Sequence, residues 1–169
     1  GKALVSKRVD RHQECDHKFA KLLTVFPRNS YLLGQLACAS YEAGLFTEAI
    51  TIFKSSRRSD TLTMDSMDVY GSALYTDRDI TELNKLSHDL IAIDPKRPEG
   101  WLCVAMYSHL KEDVEKALVF VDKASQLAPK CAHAFRLKGK LLLQQQRNEQ
   151  AVISYFQASS LEKHMDSYI

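Results

Sequence analysis

His12, Cys15 and His17 are side chains of the kinds that bind zinc. On one helix they fall at i, i+3 and i+5. With about 100° between successive residues they diverge rather than converge on one ion. Asp65 and Asp68 are the other candidate pair, since carboxylates at i and i+3 share a helix face and suit general acid–base work. Acids near a helix N-terminus are also what the helix dipole favours. No G-x-S-x-G elbow, Walker loop, G-x-G-x-x-G fingerprint or H-E-x-x-H pair occurs. The expectation is a chain with no catalytic residues, no cofactor and no metal, whose function lies in a surface.

The composition agrees. Lys and Arg number 23 against 21 for Asp and Glu, so no electrostatic excess points to nucleic acid or a membrane surface. Cys15, Cys38, Cys103 and Cys131 are widely spaced with no C-x-x-C pair, which suits a reducing compartment better than a disulfide framework. No apolar run is long enough to cross a membrane, and the start, G-K-A-L-V-S-K-R, lacks the apolar stretch of a signal peptide.

Repetition sets the elements that must present such a surface. Trp101, Ala105, Ala117, Ala124 and Pro129 describe a helix–turn–helix hairpin: an aromatic anchor, small residues where two helices touch, and a closing proline. A step of 34 residues forward gives Phe135, Gly139, Ala151, Tyr155 and Ala158. A step of 34 back gives Met67, Gly71, Leu90 and Pro95, and a second gives Leu33, Ala37, Ala49 and Phe53. Four units follow, at 30–63, 64–97, 98–131 and 132–165, with no insertion or deletion. An incomplete unit occupies 1–29, where Phe19 and Pro27 take the places of the aromatic and the closing proline, so a second helix is expected near Gln13 to Val25, and a further unit starts at 166–169. Residues 1–12 either extend that helix upstream or are foreign to the array. The whole reads as a piece of a longer superhelix.

The units differ. Gly44 and Phe46 mark the first turn. That unit ends in F-K-S-S-R-R-S-D without a proline; Arg57 and Arg58 there are either cations at a helix C-terminus or the context of a modification site. The unit at Met64 has Leu83 for the usual Ala and Ser87 for the usual aromatic, and the last has Lys138 where Leu is usual.

This pattern resembles the tetratricopeptide repeat. The resemblance implies an all-α, right-handed superhelix of antiparallel helix pairs, with the first helix of each pair lining a concave groove. Read onto this sequence, the groove-facing places hold Tyr31, Cys38 and Tyr41; Asp65, Asp68, Ser72 and Tyr75; Leu102, Met106 and His109; and His133, Arg136, Lys140 and Leu143. Tyr, Met and Arg among them suit the gripping of a partner segment; the alternative is packing against neighbouring helices. The carboxylate clamp of chaperone-cofactor repeats is not matched, because Gly34, Asp68, Leu102 or Arg136 stand where its first lysine would.

Met64 to Tyr75, M-D-S-M-D-V-Y-G-S-A-L-Y, is similar to a segment of the repeat subunits of the anaphase-promoting complex, a cell-cycle ubiquitin ligase. Arg136 to Phe156, with Asp166-Ser167-Tyr168 beyond, is similar to a run of its subunit 7 family, and subunits 3, 6 and 8 share much of it. The resemblance implies a non-catalytic scaffold, nuclear and cytoplasmic, partnered by related repeat subunits and homodimeric at full length. Asp65 and Asp68 are candidates to receive an arginine of a partner. A freestanding peptide-binding adaptor is the alternative. An enzyme would need a catalytic domain outside these residues.

Overall fold

The computed structural model describes residues 29–166, together with His17, Lys21, Thr24 and Val25. The helix expected near 13–25 lies mostly outside the described residues, as do His12, Cys15, Phe19, Pro27 and the final Ser167, Tyr168 and Ile169. The described residues form eight α-helices and no strand: α1 (Ser30–Glu42), α2 (Phe46–Ser59), α3 (Met67–Asp77), α4 (Ile80–Ile93), α5 (Pro98–Leu110), α6 (Val114–Leu127), α7 (Ala132–Gln144) and α8 (Asn148–Asp166).

Local chemistry places several helix starts. A helix leaves its first amide groups without intrahelical partners, and a short polar side chain just before it can supply one. Asn29 accepts from the Leu32 amide at 3.1 Å, Asp79 from Glu82 at 3.0 Å and Asp113 from Lys116 at 3.1 Å. Leu45, ahead of α2, has no such side chain. Pro98 opens α5, where its missing N–H costs nothing.

The even-numbered helices begin at Phe46, Ile80, Val114 and Asn148, a strict interval of 34 residues. The turn before each holds one residue with positive φ at the same interval: Gly44 at 81°, Arg78 at 60°, Glu112 at 65° and Gln146 at 61°. A left-handed residue just past a helix end lets the chain double back. Only Gly44 adopts it without a Cβ penalty; for other residues the left-handed region costs roughly 1–2 kcal/mol.

Among the odd-numbered helices, α3 breaks step. The interval would start it at Met64, yet it starts at Met67, behind Ser66 at φ 62°. The link Asp60–Ser66 therefore has seven residues, against four in Asp94–Arg97 and in Ala128–Cys131.

The chain divides into two compact units between Arg78 and Asp79. In the first, α1 packs on α2, α2 on α3, and α3 also touches α1. Its core holds Ala37, Ala49, Phe53, Met67 and Tyr70, with the Phe53 and Tyr70 rings stacked at 5.1 Å. Ser56 is buried where larger or smaller apolar residues stand in other units, and its hydroxyl donates to the Ser30 carbonyl at 2.9 Å.

In the second unit each helix from α4 to α8 packs on the next. Ala105, Ala117, Val121, Ala124 and Ala151 have no exposed surface. A Cβ at Gly100 would lie 2.8 Å from Ile91 Cγ1 and 3.1 Å from the Ile91 backbone nitrogen, so α5 approaches α4 this closely only with glycine there. Trp101 ties the unit's link down: its indole N–H donates to the Pro95 carbonyl at 2.8 Å, and its ring stacks on Phe120 at 5.9 Å. Lys123 Nζ sits 3.6 Å from the Trp101 ring centre, a cation–π contact. Leu83 and Ser87, the two unusual residues of α4, are both buried, and the Ser87 hydroxyl is satisfied by the Asn84 carbonyl at 2.7 Å.

Candidate functional site

The odd-numbered helices carry all the groove candidates except one. Asp65 stands in the link before α3, in a turn, because the left-handed Ser66 interrupts the helix after it. The expectation that Asp65 and Asp68 share a helix face is therefore corrected. Asp68 alone lies in the first turn of α3, where the positive end of the helix dipole favours it.

In the first unit the faces of α1 and α3 meet. Tyr31 is 59% exposed at the start of α1. Tyr41 is half-buried and set edge-on to Phe46 at 5.3 Å. Asp68 and Tyr75 are half-buried and Ser72 is buried, its hydroxyl bonded to the Asp68 carbonyl at 3.0 Å. Between them lies Cys38. Burial pushes its thiol above the ordinary range; a hydrogen bond with Ser66 pulls it back, and the Asp68 and Glu42 carboxylates push it further up. A thiol so placed stays protonated and is a poor nucleophile.

In the second unit Leu102 and Met106 are corrected outright. Their exposures are 0% and 1%, so both are core residues and neither can touch a partner in this fold. The alternative weighed for them, packing between helices, is what occurs. His109 is half-buried, with Nε2 2.5 Å from Gln144 Oε1 across to α7. Arg136 and Lys140 are exposed on α7, and Arg136 forms an ion pair with Glu162 of α8. Lys138, unusual in its place, reaches Asp122 of α6 at 2.6 Å.

Among the described residues no group of three His, Cys, Asp or Glu side chains could hold a metal ion, and no helix is long and apolar enough to cross a membrane. His12 and Cys15 lie outside the described residues. What sequence reasoning missed is an apolar surface on α8: Val152, Ile153 and Phe156 are exposed, Phe156 at 72%. A signal was available, since Thr51, Lys54, Lys85 and His88 hold the places of Ile153 and Phe156 two and three units earlier and all are exposed, although Val119 and Asp122 hold them one unit earlier.

Helices recurring on a 34-residue period, with buried Ala37 and Ala49, Ala105 and Ala117, and Gly139 and Ala151 in the hairpins inside each unit and a left-handed residue at each turn, define a tetratricopeptide-repeat fold. No family model matches the sequence. Known proteins similar to it include subunits of the anaphase-promoting complex. Subunit 7 of Arabidopsis thaliana is 35% identical over 150 residues, covering 89% of this chain and 27% of that protein. Subunit 7 of Dictyostelium discoideum is 33% identical over 147 residues, covering 86% and 25%. The chain thus spans about a quarter of the length of the curated relatives it matches.

Solved structures agree on the fold. The hetero-tetramer Cut9-Hcn1 of the same complex superposes with a TM-score of 0.79 at 18% identity, over 87% of this chain and 28% of that one. MamA superposes with a TM-score of 0.63 at 19% identity, over 96% of each chain.

Proposed function

We propose that this chain is a non-catalytic scaffold stretch of an anaphase-promoting-complex subunit, holding related repeat subunits of a cell-cycle ubiquitin ligase in place. The observation that carries the reading is the 35% identity to subunit 7 of Arabidopsis thaliana along 89% of the chain. The absence of any catalytic motif in the sequence is consistent with it. Its partners are proteins, a second copy of the full-length protein among them, and neither nucleic acid nor membrane. It works in the nucleus and cytoplasm.

The contacts proposed for partners are Tyr31, Tyr41, Asp68 and Tyr75 on one unit and His109, Arg136 and Lys140 on the other, with Asp65 reassigned to the link. Tyrosine and arginine are the side chains that most often anchor such interfaces.

The test is affinity purification of the tagged full-length protein from its own cells, with the co-eluting chains identified by mass spectrometry. Recovery of several anaphase-promoting-complex subunits in fixed proportion is expected. A monomer that carries only a short peptide, or a chaperone, would overturn the proposal. Tyr31→Ala combined with Arg136→Glu should reduce that recovery while leaving helix content unchanged.

A further inference from the structure

Among the described residues the link Asp60–Ser66 is where the helix pairs lose their interval, and the basic pair Arg57–Arg58 stands just before it. We propose that Thr61 is a phosphorylation site for a serine/threonine kinase that selects arginine three residues before its acceptor.

The case begins with the register. Thr61 occupies the place taken by Pro95 and Pro129 in the two units that follow, 34 and 68 residues on. A hydroxyl thus replaces a proline at the point where the chain leaves its helix. The seven-residue length of this link, against four elsewhere, leaves slack for a kinase cleft to draw out Thr61 together with the last turn of α2, which carries Arg58. Asp60 already has extended torsions, φ −143° and ψ 103°.

Exposure then separates the two neighbouring hydroxyls. Thr61 is exposed in a turn, and its hydroxyl makes no hydrogen bond among the described residues. The Ser59 hydroxyl donates back to the Ser55 carbonyl at 3.3 Å, inside the last turn of α2. Asp60 holds the turn that presents Thr61: its amide closes on the Ser56 carbonyl at 3.0 Å, and its carboxylate accepts the Leu62 amide at 3.0 Å.

The flanking side chains supply recognition. Arg58, three residues before Thr61, is exposed. Its guanidinium is suited to bidentate pairing with a carboxylate lining a substrate cleft. Arg57, one residue earlier, is half-buried, with Nη1 3.8 Å from Met67 Sδ. Leu62, just after the acceptor, is 69% exposed and offers an apolar anchor.

In the reaction Thr61 Oγ1 attacks the γ-phosphorus of magnesium ATP. The bond from that phosphorus to the bridging oxygen breaks, ADP leaves, and the hydroxyl proton passes to the kinase's catalytic carboxylate. The product carries about −1.5 to −2 charge. It sits beyond the C-terminus of α2, where the helix dipole disfavours an anion, and Arg57 and Arg58 offset that cost. The link becomes an anionic element that a partner with an arginine cluster can read.

The test uses the full-length protein, magnesium ATP and the catalytic domain of a kinase selective for arginine at that position, with the phosphate mapped by mass spectrometry. No other subunit is present, so the result is independent of the assembly proposed above. Thr61 should be the main acceptor. T61A should lower incorporation at least tenfold, and R58A should slow it at least tenfold with an unchanged thermal melt. Phosphate on Ser59 with Thr61 unmodified would overturn the proposal. So would an unchanged rate in R58A, or a folded protein that stays unmodified whether or not a peptide of residues 55–65 reacts.

Discussion

The hairpin of α5 and α6 and the stretch from Asp60 to Asp77 treat the same repeat differently. In the hairpin, Ala105, Ala117 and Ala124 are wholly buried, and Trp101 pins the preceding link by a hydrogen bond, a ring stack and a cation–π contact. In the other stretch the link has lengthened, proline has given way to Thr61, and Ser66 turns the backbone left-handed ahead of α3. Where every register place is filled by its usual residue, the side chains are spent on packing. In this link the changed places bring Asp60, Thr61 and Asp65 to the surface, whereas the changed places Ser56, Leu83 and Ser87 within the helices stay buried.

Truncating the anchor should have the largest effect. Trp101→Ala removes the stack on Phe120 and the bond to Pro95, and should cost about 3 kcal/mol by urea denaturation. A loss below about 1 kcal/mol, the worth of the hydrogen bond alone, would mean that the stack does not anchor the link. Next, Ala117→Leu should overpack the crossing of α5 and α6 and cost roughly 1–3 kcal/mol. An unchanged melting temperature would show that the crossing has slack.

Capping offers a smaller and two-sided comparison. Asp113→Ala should lose about 1 kcal/mol, because the Lys116 amide is left without its acceptor. Leu45→Asp should gain up to about 1 kcal/mol in the irregular half, where α2 lacks a capping side chain. If both variants melt at the wild-type temperature, the caps do not distinguish the two halves.

The smallest effect concerns pH. Burial raises the Cys38 thiol above its ordinary value of about 8.5, and Asp68 and Glu42 add to the rise against the Ser66 hydrogen bond. A raised value favours the protonated form in the folded state. Its stabilisation is complete below about pH 8.5 and is lost as pH climbs through the raised value. Cys38→Ala should therefore flatten the alkaline fall in melting temperature, and identical pH profiles for the two proteins would dismiss the effect.

The all-α, repeat character of the fold was legible because small residues recur at a fixed step, and those same residues prove to be the buried ones. The start of α3 was not legible. Nothing in the types of Met64, Asp65 and Ser66 announces a left-handed serine, whereas Gly44 does announce its turn. Arg78, Glu112 and Gln146 hide the same torsion under ordinary polar side chains. The groove was legible only in part. Leu102 and Met106 sit at places the family resemblance assigns to the groove, but large apolar side chains follow the hydrophobic drive inward. The polar candidates of α7, Arg136 and Lys140, remain at the surface.

The three-residue turns between α1 and α2, α5 and α6, and α7 and α8 bear on how the chain acquires its structure. Each pair closes its core through residues near one another along the chain, so little chain entropy is spent before the contacts form. Chains dominated by such short-range contacts fold in microseconds to milliseconds, and in repeat arrays structure can nucleate at any unit. An array built this way can lose order in one hairpin while its neighbours stay folded, so amide exchange should grade along the chain instead of reporting a single opening.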